Sequence, residues 1–96
     1  MFAVVNHLHF AKPVESFRSI VERDGLPLLS SYDGFKGFHF VKAAEDRAIV
    51  IIFWRDAACA EAAAKSFGPA WFAVHLKPYF AEPEQRSIGE VIVSSL

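Results

Sequence analysis

Two stretches of the chain carry apolar side chains at nearly every position, and both predict β-strands. Residues 2–10 read FAVVNHLHF, and residues 48–54 read AIVIIFW. Both are too short, and too rich in β-branched or aromatic residues, for ordinary helices. Because side chains alternate between the two faces of a strand, the second stretch places apolar groups on both faces of its sheet. A strand of this kind is normally covered by protein on both sides.

The rest of the pattern predicts the order β-α-β-β-α-β. A first helix follows Pro13 and is expected to kink or break at Pro27, which has no backbone N–H to donate. A second, alanine-rich helix begins after Asp56, a good N-cap, is interrupted at Gly68-Pro69 and stops at Pro78. Its apolar stripe is predicted to consist of Cys59, Ala63, Phe67, Ala70 and Val74. The predicted strands are Phe2–His9, Phe38–Lys42, Arg47–Trp54 and Ile88–Ser94.

This order predicts one ferredoxin-like α+β domain over residues 1–96, with a four-stranded antiparallel sheet and two helices on one face. Two helices cover only one face of the sheet, and a second copy of the chain is the simplest cover for the other. The composition favours the same conclusion, because 53% of the residues are hydrophobic and ten are Phe. We therefore expect a homodimer that forms through the sheet faces.

Charge and cysteine content exclude several classes of protein. The formal net charge is −1 and the basic residues are scattered singly, so no nucleic-acid partner is expected. The one cysteine, Cys59, allows no internal disulfide, fits a reducing compartment and is expected to be an inert buried thiol without a cation nearby. No signal-peptide pattern and no apolar run of about 18 residues is visible. These features favour a soluble cytoplasmic protein with no membrane partner.

Four short motifs carry a family resemblance. Residues 34–40 read GFKGFHF, residues 53–56 read FWRD, residues 71–76 read WFAVHL and residues 89–93 read GEVIV. Together they resemble the antibiotic-biosynthesis-monooxygenase-like group of the dimeric α+β barrel superfamily. The resemblance implies a dimer with facing sheets and one pocket per subunit between sheet and helices. Some members oxidise flat aromatic compounds with molecular oxygen and no cofactor, some degrade haem, and many have no established activity.

Asn6 and His75 are the candidate catalytic residues. Asn6 stands among apolar neighbours on the first strand, where its amide either binds a substrate oxygen or is a structural amide satisfied by the protein. His75 lies near the end of the second helix, as a base or haem ligand or as a boundary residue that suits the helix C-terminus. In the haem-degrading members, a strand-1 Asn acts with a Trp and a His on the second helix. Asn6 and His75 match two of these, whereas this chain has Ala and Lys at the family's Trp position.

Four aromatic residues are candidates for substrate binding. Trp71 precedes His75 by one helical turn, and Trp54 ends the third strand, so each either walls a pocket or is a core aromatic. Tyr32 and His39 flank the turn at Gly34–Gly37 and could reach a pocket mouth.

The other histidines do not predict a metal site. His7 and His9 share one face of the first strand, but the strand of His39 is not its neighbour in this topology, and no acidic residue completes a ligand set. Polar positions in or around a dimer interface are the simpler interpretation.

The hypothesis that follows is a small monooxygenase-like enzyme that oxidises a planar aromatic or quinol-type substrate without a cofactor. His75 would take a proton from a phenolic or enolic substrate, the anion would react with oxygen, and Asn6 would orient a carbonyl. Two alternatives remain open. One is a non-enzymatic ligand-binding or structural homodimer whose pocket is filled by side chains. The other is haem binding or degradation with His75 as axial ligand.

Overall fold

A computed structural model of the protein describes residues 1–95 and has the predicted element order. The four strands are β1 (Phe2–His9), β2 (Phe35–Ala44), β3 (Arg47–Trp54) and β4 (Gln85–Glu90). Two helical segments connect them, α1 (residues 14–30) and α2 (residues 57–75), and a short 3-10 turn at Lys77–Tyr79 follows α2. No helix in the described part of the chain is both long and apolar enough to cross a membrane.

The strands form one antiparallel sheet in the order β2-β3-β1-β4. Both helical segments pack on the same face, so that alternate residues of the central strands are buried. On the opposite face, Ile49, Ile51 and Phe53 stay half-exposed and Val41 is 39% exposed. The predicted ferredoxin-like α+β fold is confirmed.

The last strand does not lie where the sequence predicted it. The prediction of Ile88–Ser94 is wrong, because β4 spans Gln85–Glu90. Its register on β1 places Glu90 opposite Phe2, the first residue of β1. Val91 adds one backbone hydrogen bond, of 2.8 Å, to the Met1 carbonyl. Residues 91–94 of the predicted strand therefore lie outside β4.

The first helical segment continues through Pro27. It contains a π-helical turn at Val21–Gly25, and its last stretch, Leu26–Ser30, follows with helical dihedral angles at Gly25. Pro27 lies at the start of the last α-helical stretch, and a proline is tolerated in the first turn of a helix. Of the expected kink or break, the break is therefore absent, because the helical segment continues through Pro27.

The second helical segment also changes its pitch instead of breaking. Asp56 caps its start as predicted, since the carboxylate accepts a 2.9 Å hydrogen bond from the Cys59 N–H. A π turn at Gly68–Phe72 replaces the predicted interruption. Because this turn shifts the helical repeat by about one residue, the end of the predicted stripe is wrong. Trp71 and Leu76 are buried, while Ala70 and Val74 are exposed.

Candidate ligand cavity

A cavity of about 440 Å³ lies between the sheet and the two helical segments and is partly open to solvent. Small-molecule sites in proteins typically measure about 300–1,000 Å³ and are mostly apolar. The wall of this cavity is rich in aromatic rings, which come from Phe38, Phe40, Trp54, Phe67, Trp71 and Phe72. The predicted pocket between sheet and helices is therefore present and is not filled by side chains.

Both π turns border this cavity. Val21 and Gly25 line it from the π turn of α1, and Gly68 and Trp71 line it from the π turn of α2. π turns are rare in proteins and frequently occur at functional sites. Their presence on both helical walls of one cavity favours a functional over a purely structural role for it.

Trp71 is held in place where α1 and α2 meet. Its side chain is 4% exposed, and its Nε1 donates a 2.7 Å hydrogen bond to Oδ2 of Asp24. The indole also lies directly over Gly25, where an added Cβ would come within 2.8 Å of the ring carbon Cη2. These two contacts fix the ring as a wall of the cavity and join the two helical segments at this point.

Asn6 lies on the cavity side of β1 and is half-buried. Its amide makes no side-chain hydrogen bond to any residue in the range 1–95, and no polar side-chain atom in that range is both buried and unsatisfied. A structural role would require a hydrogen-bond partner for the Asn6 amide, and the described chain provides none from its side chains. Its donors and acceptor are accessible from the cavity and available to a ligand.

Three charged residues, called here the polar rim, complete the lining: Lys77, Glu84 and Arg86. Lys77 and Arg86 are exposed and Glu84 is half-buried, so they stand where the cavity meets solvent. Arg86 is the register partner of Asn6 on the neighbouring strand. Within the part of the chain that the structure describes, no residue of the polar rim forms an ion pair.

His75 does not line the cavity. Its ring packs against Trp71 with 4.9 Å between centroids, and its Nε2 lies 3.8 Å from Oδ2 of Asp24. The side chain is 33% exposed. The structure therefore brings Asn6 and Trp71 together at one site and places His75 beside Trp71 but outside that site.

Of the three remaining candidate residues for substrate binding, one lines the cavity and two do not. Trp54 lines the cavity from the end of β3. Tyr32 lies behind the wall, where its hydroxyl is 2.9 Å from Oγ of Ser66 and its ring meets Phe67 edge-on. His39 lies on the opposite face of the sheet with its ring against Phe53. Neither Tyr32 nor His39 borders the cavity.

A charged cluster surrounds the thiol of Cys59 at the start of α2. Arg55 Nη2 lies 3.1 Å from Sγ, so the prediction that no cation lies near this thiol is wrong. The guanidinium is paired with Asp33 at 3.0 Å, and its pKa is raised by that hydrogen bond. The hydrogen bond to Asp56, followed by burial, raises the pKa of the Cys59 thiol. The thiol is therefore protonated at neutral pH, which agrees with the prediction of low reactivity.

No protein-family model matches the chain, and no curated protein sequence matches it. Several solved structures, by contrast, match the fold of the chain. One of them is the N63A mutant of SnoaB, a cofactor-independent oxygenase from Streptomyces nogalater, which is 14% identical in sequence to this chain. The TM-score is 0.81, and the match covers 98% of this chain and 95% of SnoaB. A candidate antibiotic biosynthesis monooxygenase from Nitrosomonas europaea is 14% identical, with a TM-score of 0.79 over 97% of this chain and all of that one. This chain has the fold of the antibiotic-biosynthesis-monooxygenase-like proteins.

A third structure with this fold is MhuD from Mycobacterium tuberculosis, described as a heme-degrader with two hemes bound in its active site. It is 19% identical, with a TM-score of 0.68 over 98% of both chains. The resemblance to the monooxygenase-like group is confirmed at the level of the fold. Proteins with this fold differ in chemistry, so the activity has to be argued from the site.

The alternative of haem binding finds no iron ligand in the lining of the cavity among residues 1–95. Haem iron in proteins is held by His, Cys, Met or Tyr side chains, and none of these lines the cavity among residues 1–95. His75, the predicted axial ligand, is outside it. Nor does the described chain contain a group of three or more His, Cys, Asp or Glu side chains arranged to hold a metal ion.

Sequence reasoning missed the polar rim and the contact that fixes Trp71. The three residues of the polar rim look like ordinary surface residues in the sequence. Only the register of β4 on β1 shows that Arg86 faces the cavity. Asp24 gave no signal either, because its partner Trp71 is far away in the sequence.

Proposed function

We propose that the cavity binds a planar, largely apolar molecule and that the protein oxidises a phenolic or quinol-type substrate with molecular oxygen, without a cofactor. The observation that carries this proposal is the half-buried amide of Asn6, which has no hydrogen-bond partner in residues 1–95 and opens into an aromatic cavity. The shared fold with SnoaB, a cofactor-independent oxygenase, supports it.

The chemistry requires little of the protein beyond binding, orientation and stabilisation of charge. Loss of a proton from an enolisable substrate such as anthrone gives an electron-rich anion, which forms a carbon–oxygen bond with O₂. One oxygen atom becomes a new carbonyl, and the other leaves as water, so anthrone and O₂ give anthraquinone and H₂O. The NH₂ of Asn6 donates to the substrate oxygen on which negative charge develops. The aromatic walls exclude water and hold the ring.

The proton of the substrate has two candidate acceptors. His75 is the base expected from the sequence, and it packs on Trp71 without lining the cavity. Glu84 lines the cavity and forms no ion pair within residues 1–95. Because a general base must come within hydrogen-bond reach of the proton, directly or through one water, we favour Glu84. The variants Glu84→Gln and His75→Ala separate the two.

The test is oxygen consumption and anthraquinone formation from anthrone in the presence of a metal chelator. We expect turnover above the buffer rate for the natural protein and a loss of roughly 10²-fold in kcat for Asn6→Ala, the usual effect of removing one donor to a developing oxyanion. Ala64→Trp places a large ring in the cavity and abolishes turnover. Glu61→Ala, on the exposed side of α2 and outside the cavity, is the matched control. Unchanged turnover in Asn6→Ala would rule out its role.

A second candidate function is binding without turnover. The observation that favours it is that no histidine lines the cavity in the described chain, and histidine is the usual general base. In that case anthrone or anthraquinone quenches tryptophan fluorescence, since Trp54 and Trp71 both border the cavity, while oxygen consumption stays at the buffer rate.

We further propose that the protein is a homodimer that forms through the face of the sheet opposite the helices. The half-exposed Ile49, Ile51 and Phe53 on the central strand β3 support this, because a continuous apolar surface is rare on a small monomer. Sedimentation equilibrium is expected to give twice the chain mass of 10.7 kDa. Ile51→Lys is expected to shift the protein to monomer and to leave the cavity intact. A natural protein that stays monomeric at micromolar concentration would exclude this dimer.

A further inference from the structure

We propose that the polar rim selects ligands with an acidic group, a carboxylate or phenolate, on a planar apolar frame. The inference rests on the proposed function, since it assumes that the cavity binds such a frame, and it specifies which class of frame is preferred. The residue that carries it is Arg86, supported by Lys77.

The two cations border the opening from different elements. Arg86 comes from the edge strand β4, opposite Asn6 on β1, and Lys77 comes from the 3-10 turn after α2. Both line the cavity, although both are exposed to solvent. A ligand with its ring among the aromatic walls and a carbonyl at Asn6 therefore brings an acidic substituent to these cations.

The ion-pair pattern shows that these cations are not neutralised by the protein. Five of the other eight basic side chains have carboxylate partners within 4 Å, namely Arg18, Lys42, Arg47, Arg55 and Lys65, whereas Lys12, Arg23 and Lys36 have none among residues 1–95. Among residues 1–95, neither Arg86 nor Lys77 has one, although Glu84 lines the same cavity. Counting formal charges, two cations against one carboxylate leave the polar rim with one net positive charge.

The chemistry of the two side chains fits an anionic oxygen. A guanidinium presents paired N–H donors that match a carboxylate in a bidentate geometry, and an ammonium adds a point charge. A nearby cation also favours the ionised form of a phenol or acid. The same feature would thus serve recognition and would promote the deprotonation that begins the proposed reaction.

The test compares two ligands that differ in one substituent, anthraquinone-2-carboxylate and the neutral 2-(hydroxymethyl)anthraquinone. Binding is followed by quenching of tryptophan fluorescence at fixed ionic strength. Both tryptophans of the chain line the cavity and report directly on its occupant. The natural protein is expected to bind the carboxylate roughly 10-fold more tightly than the neutral compound, as for a charge-assisted hydrogen-bonded pair at a partly exposed site.

Three variants test the role of the cations. Arg86→Gln is expected to lose most of this preference and to keep its affinity for the neutral ligand within about 2-fold. Arg86→Lys, which keeps the charge but not the fork of donors, retains part of the preference. Lys36→Gln removes one positive charge from the edge strand β2, outside the cavity, and is expected to change neither affinity.

Two results would overturn the inference while the proposed cavity function stands. One is equal binding of both ligands by the natural protein, and the other is an equal loss of carboxylate affinity in Arg86→Gln and Lys36→Gln. If neither ligand binds the natural protein, the cavity function itself fails together with the inference.

Discussion

Gly25 is the position at which the packing of the cavity wall is most directly testable. A methyl group there would lie 2.8 Å from Cη2 and 2.9 Å from Cζ2 of Trp71. The ring cannot easily yield, because it is rigid, almost completely buried and hydrogen-bonded to Asp24. Gly25→Ala therefore has one stabilising and one destabilising effect on the folded protein. Replacing glycine by alanine in a helix gains about 1 kcal/mol, and overpacking costs about 1–3 kcal/mol. We expect a net loss of about 1 kcal/mol in the free energy of unfolding.

The sign of the effect should depend on Trp71. In a Trp71→Phe background the distal ring carbons are absent, so the clash is relieved and the helix-propensity gain of about 1 kcal/mol remains. Gly25→Ala should then stabilise the protein, although Trp71→Phe alone is destabilised by about 2–3 kcal/mol through lost volume and the lost hydrogen bond to Asp24. The resulting coupling free energy between the two positions is about 2 kcal/mol.

Urea unfolding at one fixed protein concentration measures these differences, because the stability of a dimer depends on concentration. A change of 1 kcal/mol corresponds to a shift of about 4–8 °C in Tm for a domain of this size. Gly89→Ala is the matched control, since no atom lies within 4 Å of an added Cβ there, and it should be neutral or slightly stabilising. If Gly25→Ala destabilises both backgrounds equally, the indole contact is not the cause.

Three further predictions concern the turn after α1 and the charged side chains. Gly34 has a φ of +80°, and an added Cβ would lie 2.6 Å from Sγ of Cys59. Gly34→Ala should therefore lower the free energy of unfolding in urea by about 3 kcal/mol, because it combines left-handed backbone strain with overpacking. A decrease below about 1 kcal/mol would contradict this prediction. The pKa values of three carboxyl groups are lowered from 3.8 in the folded state: by a hydrogen bond to Arg55 for Asp33, to His9 for Asp46 and to a backbone N–H for Asp56. These ionised carboxylates therefore stabilise the fold above pH 4, and their contribution is lost as the pH falls through the lower pKa values of the folded state. A free energy of unfolding that stays constant between pH 5 and pH 2 would refute this prediction. The raised pKa of Cys59 predicts that the thiol of the folded protein reacts slowly with a disulfide reagent at pH 7 and reacts faster once urea unfolds the chain. If the folded protein reacts as fast as a cysteine-containing peptide, the thiol is accessible and its pKa is not raised.

The fold could be predicted from the sequence because its signals are local. Short runs of apolar, β-branched and aromatic residues located β1 and β3 with the bounds that the structure has, and the N-cap at Asp56 placed the start of α2. The bounds of β4 could not be predicted, because they depend on where the partner strand β1 ends and not on the hydrophobicity of the last residues.

The site was harder to predict because one π turn changes which residues face it. The sequence reasoning assumed 3.6 residues per turn along all of α2, which places His75 beside a stripe that includes Ala70 and Val74. The π turn at Gly68–Phe72 shifts that repeat, so Val74 is 57% exposed and Leu76 is 3% exposed. His75 packs on Trp71 and does not line the cavity. The function of the site therefore has to be sought in the strand side chains Asn6 and Arg86, whose direction the sheet register fixes independently of helical pitch.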